Sequence, residues 1–184
     1  MKNQGRAFEK EIEFTFESIR IKEDVAIIAA MPVPTAPSFA GGRSVRVLKG
    51  KAPFDYWGMF KGGRFLGMEA KATSKVKKSL AIVGPMRRGS GLQWHQLESL
   101  ATVARNDGVA RIVWCNGGLI MNMGNRGILL AHDIYNLAVD SDNKEGRKSI
   151  PRDLFSVCET RLCNGIPYCD WMTVEEAICE REER

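Results

Sequence analysis

Two aromatic and apolar runs flank a Lys-Gly-Gly triplet, and no other feature limits the possible folds of this chain as much. Residues 54–60 (Phe-Asp-Tyr-Trp-Gly-Met-Phe) and 64–71 (Arg-Phe-Leu-Gly-Met-Glu-Ala-Lys) bracket Lys61-Gly62-Gly63. Short strand-forming runs joined by a glycine turn predict a β-hairpin. Period-two alternation then puts Glu69 and Lys71 on one face of the second strand. With a three-residue turn at 61–63, Phe60 pairs with Arg64 and Asp55 stands opposite Glu69 on that face. With a two-residue turn at Gly62-Gly63, Asp55 pairs with Ala70 and the two carboxylates part to opposite faces.

An Asp on one strand and an acidic residue, a spacer and a Lys on the next are what a metal-dependent phosphodiesterase requires. Two carboxylates offer hard oxygen ligands for Mg²⁺. A neighbouring Lys can orient a water and stabilise charge on a phosphate. This chemistry needs the three-residue turn or a bulge. Many such charges on neighbouring strands are merely solvated. Here, however, Phe65-Leu66-Gly67-Met68 leads into the cluster, an apolar stretch suited to an inner strand, where a charge is costly unless used or paired.

Around the hairpin, the pattern predicts an α/β chain. Phe8, Ile12, Phe16 and Ile19 recur at helical spacing over 5–20, and Val25 to Ala30 reads as a short strand. Met31-Pro32-Val33-Pro34-Thr35-Ala36-Pro37 can be neither helix nor central strand. With Arg43, Arg46, Lys49 and Lys51 after it, the segment 31–52 reads as an extended, basic, projecting insertion. After Lys71 the chain is expected to be basic and flexible through Lys75, Lys77, Lys78, Arg87 and Arg88. A helix is predicted over 93–106, a buried strand over 110–115, a further strand over 127–131, a helix over 132–139 and a short helix from Thr173.

The length of 184 residues fits one domain. A formal net charge of +5 favours a polyanionic partner. The chain has no apolar run of about 18 residues, the length that would suggest a membrane span. The first residues lack a signal-peptide hydrophobic region, so the expectation is a cytoplasmic protein with no membrane partner. The five cysteines (115, 158, 163, 169 and 179) form no Cys-x-x-Cys pair, and with only His95 and His132 they fit no common zinc set. Reduced structural thiols are expected.

The predicted order of helix, three strands, helix and strand, carrying Asp55, Glu69 and Lys71, resembles the PD-(D/E)xK nuclease superfamily. Within it the chain is similar to RecU-type Holliday junction resolvases. Asn3-Gln4-Gly5 with Phe8-Glu9 resembles that family's opening motif and helix glutamate. The Pro-rich and basic segment sits where the family carries its stalk, and His95-Gln96 matches a His-Gln on the helix after the catalytic strand. Gly127-Ile128-Leu129-Leu130-Ala131 and Gly146-Arg147-Lys148-Ser149-Ile150-Pro151 resemble later motifs. Two positions depart from the pattern: Pro53-Phe54 precedes the Asp where the family tends to have a Thr, and Gln4 stands where it has an Arg.

The resemblance implies a restriction-endonuclease-like core with a central mixed sheet flanked by helices. It also implies one nuclease domain over 1–184, with 31–52 as its stalk. Asp55 and Glu69 would ligate Mg²⁺, with Mn²⁺ able to substitute and the Ala70 carbonyl as a third oxygen. Lys71 would hold the nucleophilic water or developing charge, Glu9 would complete the site, and Gln96 would position the water or Lys71. Arg43, Arg46, Lys49 and Lys51 on the stalk would contact phosphates, as would Lys75, Lys77, Lys78, Arg87 and Arg88 along duplex arms. The implied partners are branched, four-way DNA, a second copy of the chain in a homodimer, and other recombination proteins. Two other readings share these residues. Against a sequence-specific restriction-type endonuclease, the sequence shows no sizeable recognition domain or insertion beyond the stalk. A non-catalytic DNA-binding factor would not need to keep Asp55, Glu69 and Lys71 together.

Overall fold

The computed structural model describes residues 4–22, 25–32, 35–40, 43–48, 51–60, 63–84, 91–117, 126–129, 134, 136–137, 148–158, 160–163 and 166–169. Its elements run α1 (Gln4–Lys22), β1 (Val25–Ala30), β2 (Thr35–Ala40), β3 (Arg43–Leu48), β4 (Tyr56–Phe60), β5 (Phe65–Thr73), β6 (Ser79–Val83) and β7 (Leu92–Gln93). Then come α2 (Trp94–Arg105), β8 (Val109–Asn116), β9 (Arg126–Leu129), β10 (Ser149–Pro151), a 3-10 turn (Arg152–Leu154), β11 (Ser156–Val157), β12 (Thr160–Cys163) and β13 (Ile166–Cys169).

A six-stranded sheet in the order β1-β4-β5-β8-β9-β11 forms the centre. It is mixed: β5 and β8 run parallel, as the α2 crossover between them requires, and the other neighbours are antiparallel. β8 is buried along its whole length, as expected of an inner strand covered on both faces.

Alternation along β5 builds two apolar layers. Met68, Ala70 and Ala72 join Tyr56, Val113 and Cys115 beneath Phe8 and Ile12 of α1. These two α1 residues are one helical turn apart and fully buried, and Phe16 and Ile19 lie outside the described side chains. On the other face Ala110, Ile112 and Trp114 pack with Phe54 and with Leu97, Leu100 and Ala101 of α2. Phe65, Gly67, Glu69 and Lys71 share the alternation of that second face. A Cβ on Gly67 would sit 3.1 Å from the Phe54 ring and 3.2 Å from Val103, so the helix approaches closely there.

The insertion takes a more defined form than an extended segment. β2 and β3 pair only with each other, in the register Thr35↔Leu48 to Ala40↔Arg43, as a separate two-stranded ribbon. Pro37 is tolerated because both strands of such a ribbon are edges. The segment after Lys71, expected to be flexible, instead contains β6, which pairs with β7 and β10 in a small three-stranded sheet. Buried Leu80 and Val83 hold it in place. The predicted 132–139 helix is helical at the described positions 134, 136 and 137. The helix predicted from Thr173 lies outside the described residues. Among the described residues no helix is long and apolar enough to cross a membrane.

Candidate active site

The hairpin register decides whether the acidic residues meet. β4 and β5 pair as Tyr56↔Met68, Trp57↔Gly67, Gly58↔Leu66 and Met59↔Phe65. This is the three-residue-turn register, and one step further along it Asp55 faces Glu69. Gly63 takes φ +87, a left-handed conformation that glycine adopts without a steric cost.

Glu69 is fully buried. One oxygen, Oε1, accepts from Gln96 Nε2 at 2.7 Å and from Lys71 Nζ. The other, Oε2, is shielded from water and has no hydrogen-bond partner among the described residues. Burial pushes this carboxyl up to about 8; the Asp55 charge adds to the shift and Lys71 opposes it. Asp55 Oδ2 accepts the Ala70 N–H at 3.0 Å, which ties the acid to the backbone of the Glu-Ala-Lys strand.

Gln96 lies in the first turn of α2 and its amide is used at both ends. Its Oε1 accepts the Gln93 N–H at 2.9 Å, satisfying a backbone donor at the start of the helix. Its Nε2 goes to Glu69 rather than to Lys71. Anchoring the amide to its own helix leaves the nitrogen aimed at the acid.

Glu9 reaches the same region from α1. Tyr56 Oη donates to the Glu9 carbonyl at 3.4 Å, which brings the helix to the start of β4 beside Asp55. The exposed Glu9 carboxyl is raised by partial desolvation and by the charges of Asp55 and Glu13. His95 is half-buried near the end of the insertion, and its pKa is lowered, first by desolvation and next by Lys51.

Asp55, Glu69, Lys71 and Gln96 therefore converge, with Glu9 near them. Of the expected DNA contacts, Lys51 lies near His95. Lys51, Lys75, Lys77 and Lys78 are exposed, Arg43 and Arg46 lie on β3, and Lys49, Arg87 and Arg88 are outside the described residues. Sequence reading passed over Asn116, a buried amide that holds the backbone of Lys77. The signal was an Asn closing a buried strand just before Gly117-Gly118.

Among the described residues no group of three or more His, Cys, Asp or Glu side chains forms a metal cluster. The donors present do fit a hard dication. The two facing acids offer only oxygen donors, and a buried carboxylate oxygen without a donor calls for a proton or a cation. No curated protein matches the chain. A family model described as recombination protein U, or RecU, matches residues 3–173. With nearly the whole sequence covered, from the first turn of α1 to past β13, the chain belongs to the RecU family of Holliday junction resolvases.

Proposed function

We propose that this chain is a metal-dependent, structure-selective DNA endonuclease that resolves four-way junctions by paired symmetric nicks. The observation that carries the reading is the buried Glu69 carboxylate, with an unpartnered oxygen, facing Asp55 on the neighbouring strand. Asp55, Glu69 and the Ala70 carbonyl would hold Mg²⁺ or Mn²⁺. When bound, the cation supplies Lewis-acid polarisation of a phosphate and lowers the pKa of a water.

The chain's own residues do the rest. Lys71, fixed by Glu69, presents a positive charge where negative charge develops on the phosphate. Gln96 keeps the Glu69 carboxylate in one orientation, because its own amide is anchored to α2. Glu9 adds a third acid at the rim. The β2–β3 ribbon acts as the stalk: with Arg43, Arg46, Lys49 and Lys51 on phosphates, it enters the open centre of a junction and finds no place on a continuous duplex. Lys75, Lys77, Lys78, Arg87 and Arg88 track the arms. These contacts give affinity and orientation without reading bases. Two copies related by a two-fold axis would cut both strands, and the protein acts in the cytoplasm.

The test is nicking of a labelled synthetic four-way junction and a matched linear duplex, in Mg²⁺ and in EDTA, with Asp55→Asn alongside. Symmetric cuts confined to the junction, abolished in EDTA and in the variant, are expected. Equal cutting of the duplex would make the protein a general or sequence-specific nuclease. Tight binding with no cleavage in Mg²⁺ or Mn²⁺ would leave a DNA-binding protein.

A further inference from the structure

Where β5 ends, Ser74-Lys75-Val76-Lys77-Lys78 leads into β6, with all five residues exposed. A single buried side chain fastens this segment from below. Asn116, the last residue of β8, is 2 % exposed. Its Oδ1 accepts the Lys77 N–H at 2.7 Å and the Thr73 hydroxyl at 3.2 Å. Its Nδ2 donates to the Lys77 carbonyl at 2.8 Å. The amide thus meets both backbone groups of Lys77, as a paired strand would.

Both ends of the segment are also tied. The Gly117 N–H donates to the Thr73 carbonyl and the Arg152 N–H to the Lys78 carbonyl, each at 3.0 Å. Gly117 has φ +103, and a Cβ there would lie 2.6 Å from Val76 Cγ2. Left free, five residues carrying three mutually repelling lysines would sample many conformations and lose that freedom on binding. Here the ordering is already complete.

We propose that Asn116 is a positioning residue that holds Lys75, Lys77 and Lys78 as a preformed ridge for the phosphates of a duplex arm, in fixed register with Glu69 and Lys71. The inference rests on the proposed junction-cleaving function and deepens it. The ridge continues the strand that carries Glu69 and Lys71. The ridge begins just past Thr73, which lies about 7 Å beyond Lys71 at the usual strand rise. A backbone bound on the ridge would thus continue towards Lys71 along the same strand. No acid interrupts residues 74–78, and Arg152 extends the positive end, with Asp153 the acid that follows it. A regularly spaced polyanion matches such a row.

The experiment compares wild type, Asn116→Ala, Asn116→Asp and the triple variant Lys75→Gln/Lys77→Gln/Lys78→Gln on a synthetic immobile four-way junction. Binding is measured in EDTA across a salt series, cleavage positions are mapped in Mg²⁺, and thermal melting monitors folding. The triple variant should reduce the slope of log K against log salt by about 0.9 for each phosphate that the lysines no longer neutralise. Asn116→Ala should keep that slope but bind about tenfold more weakly, as expected when a loop must be ordered on binding, and should spread cuts over neighbouring phosphates. Asn116→Asp keeps the two accepted bonds, should fall between, and serves if the alanine variant does not fold. An unchanged slope in the triple variant would overturn the proposal. So would Asn116 variants that melt lower yet bind and cut as wild type does. Failure of the nuclease reading looks different: wild type would not cut, while the binding series in EDTA would still decide whether the ridge holds phosphates.

Discussion

Glu69 concentrates the energetics of the candidate site in one side chain. In the metal-free protein its carboxyl is pushed up to about 8, chiefly by burial. Between the ordinary value of 4.5 and about 8, the folded chain holds a proton that the unfolded chain has released. Linkage then requires metal-free stability to fall as pH rises from about 5 to 8. A cation bound to the ionised acid offsets that fall, so the rise in melting temperature on adding Mg²⁺ should be larger at pH 8 than at pH 6. Glu69→Gln removes the titration. The metal-free variant should melt above wild type at pH 8, and Mg²⁺ should no longer shift it. A full-sized Mg²⁺ shift in Glu69→Gln would place the cation elsewhere. Gln96→Ala removes the bond to Glu69 and the acceptor for the Gln93 N–H together. Two hydrogen bonds of ordinary net strength put the destabilisation near about 1–2 kcal/mol in urea unfolding, with weaker Mg²⁺ binding in calorimetry. Unaltered Mg²⁺ affinity in a destabilised Gln96→Ala would confine the residue to the helix start.

At the scale of elements, the β2–β3 ribbon can be tested apart from the sheet because among the described residues it shares no pairing with it. Replacing residues 35–48 by a short Gly-Ser linker should leave the six-stranded sheet and the Mg²⁺ shift of the melting temperature intact. The preference for a junction over linear duplex in competition binding should collapse. Selectivity that survives the replacement would mean the ribbon is not a stalk. The elements that were legible in the sequence are those whose pattern is long or chemically marked. The stripe of Phe8 and Ile12, the strand Val25–Ala30, the hairpin with its glycine turn, and α2 with Leu97 and Leu100 all carry periods strong enough to read. The register of Asp55 against Glu69 was not legible, because Lys61-Gly62-Gly63 allows turns of two lengths and only packing of both faces of β5 selects one. β6 was missed because Ser79-Leu80-Ala81-Ile82-Val83 is short and lies between lysines and glycines. β12 and β13 were missed despite Asn164-Gly165 between them, a strong hairpin signal, because Pro167 argues against a strand. The bond from Gln96 to Glu69 joins residues 27 positions apart, and no local pattern reports such a pairing.

At the scale of the whole molecule, charge and symmetry set the remaining demands. A chain of net charge +5 attracts DNA from a distance. Yet Asp55, Glu69 and Glu9 bring three carboxyls close together, and the proposed cation would offset their charge as they ionise around a phosphate. One chain offers one such site, whereas a symmetric junction must be cut on two strands. The proposed two-fold dimer would answer this, each copy placing its Asp55 and Glu69 on one strand. The consequence can be read in a mixed enzyme. Wild-type and Asp55→Asn chains carrying different affinity tags are co-expressed, and the doubly tagged species is isolated and given a supercoiled plasmid with an extruded cruciform. Wild type should yield linear plasmid by paired cuts. The mixed species should yield nicked circles in excess of either parent protein and little linear product, because one of its two sites cannot cut. If no doubly tagged species can be isolated, or if linear product merely scales with the amount of wild-type chain, the sites act independently and resolution does not require a dimer.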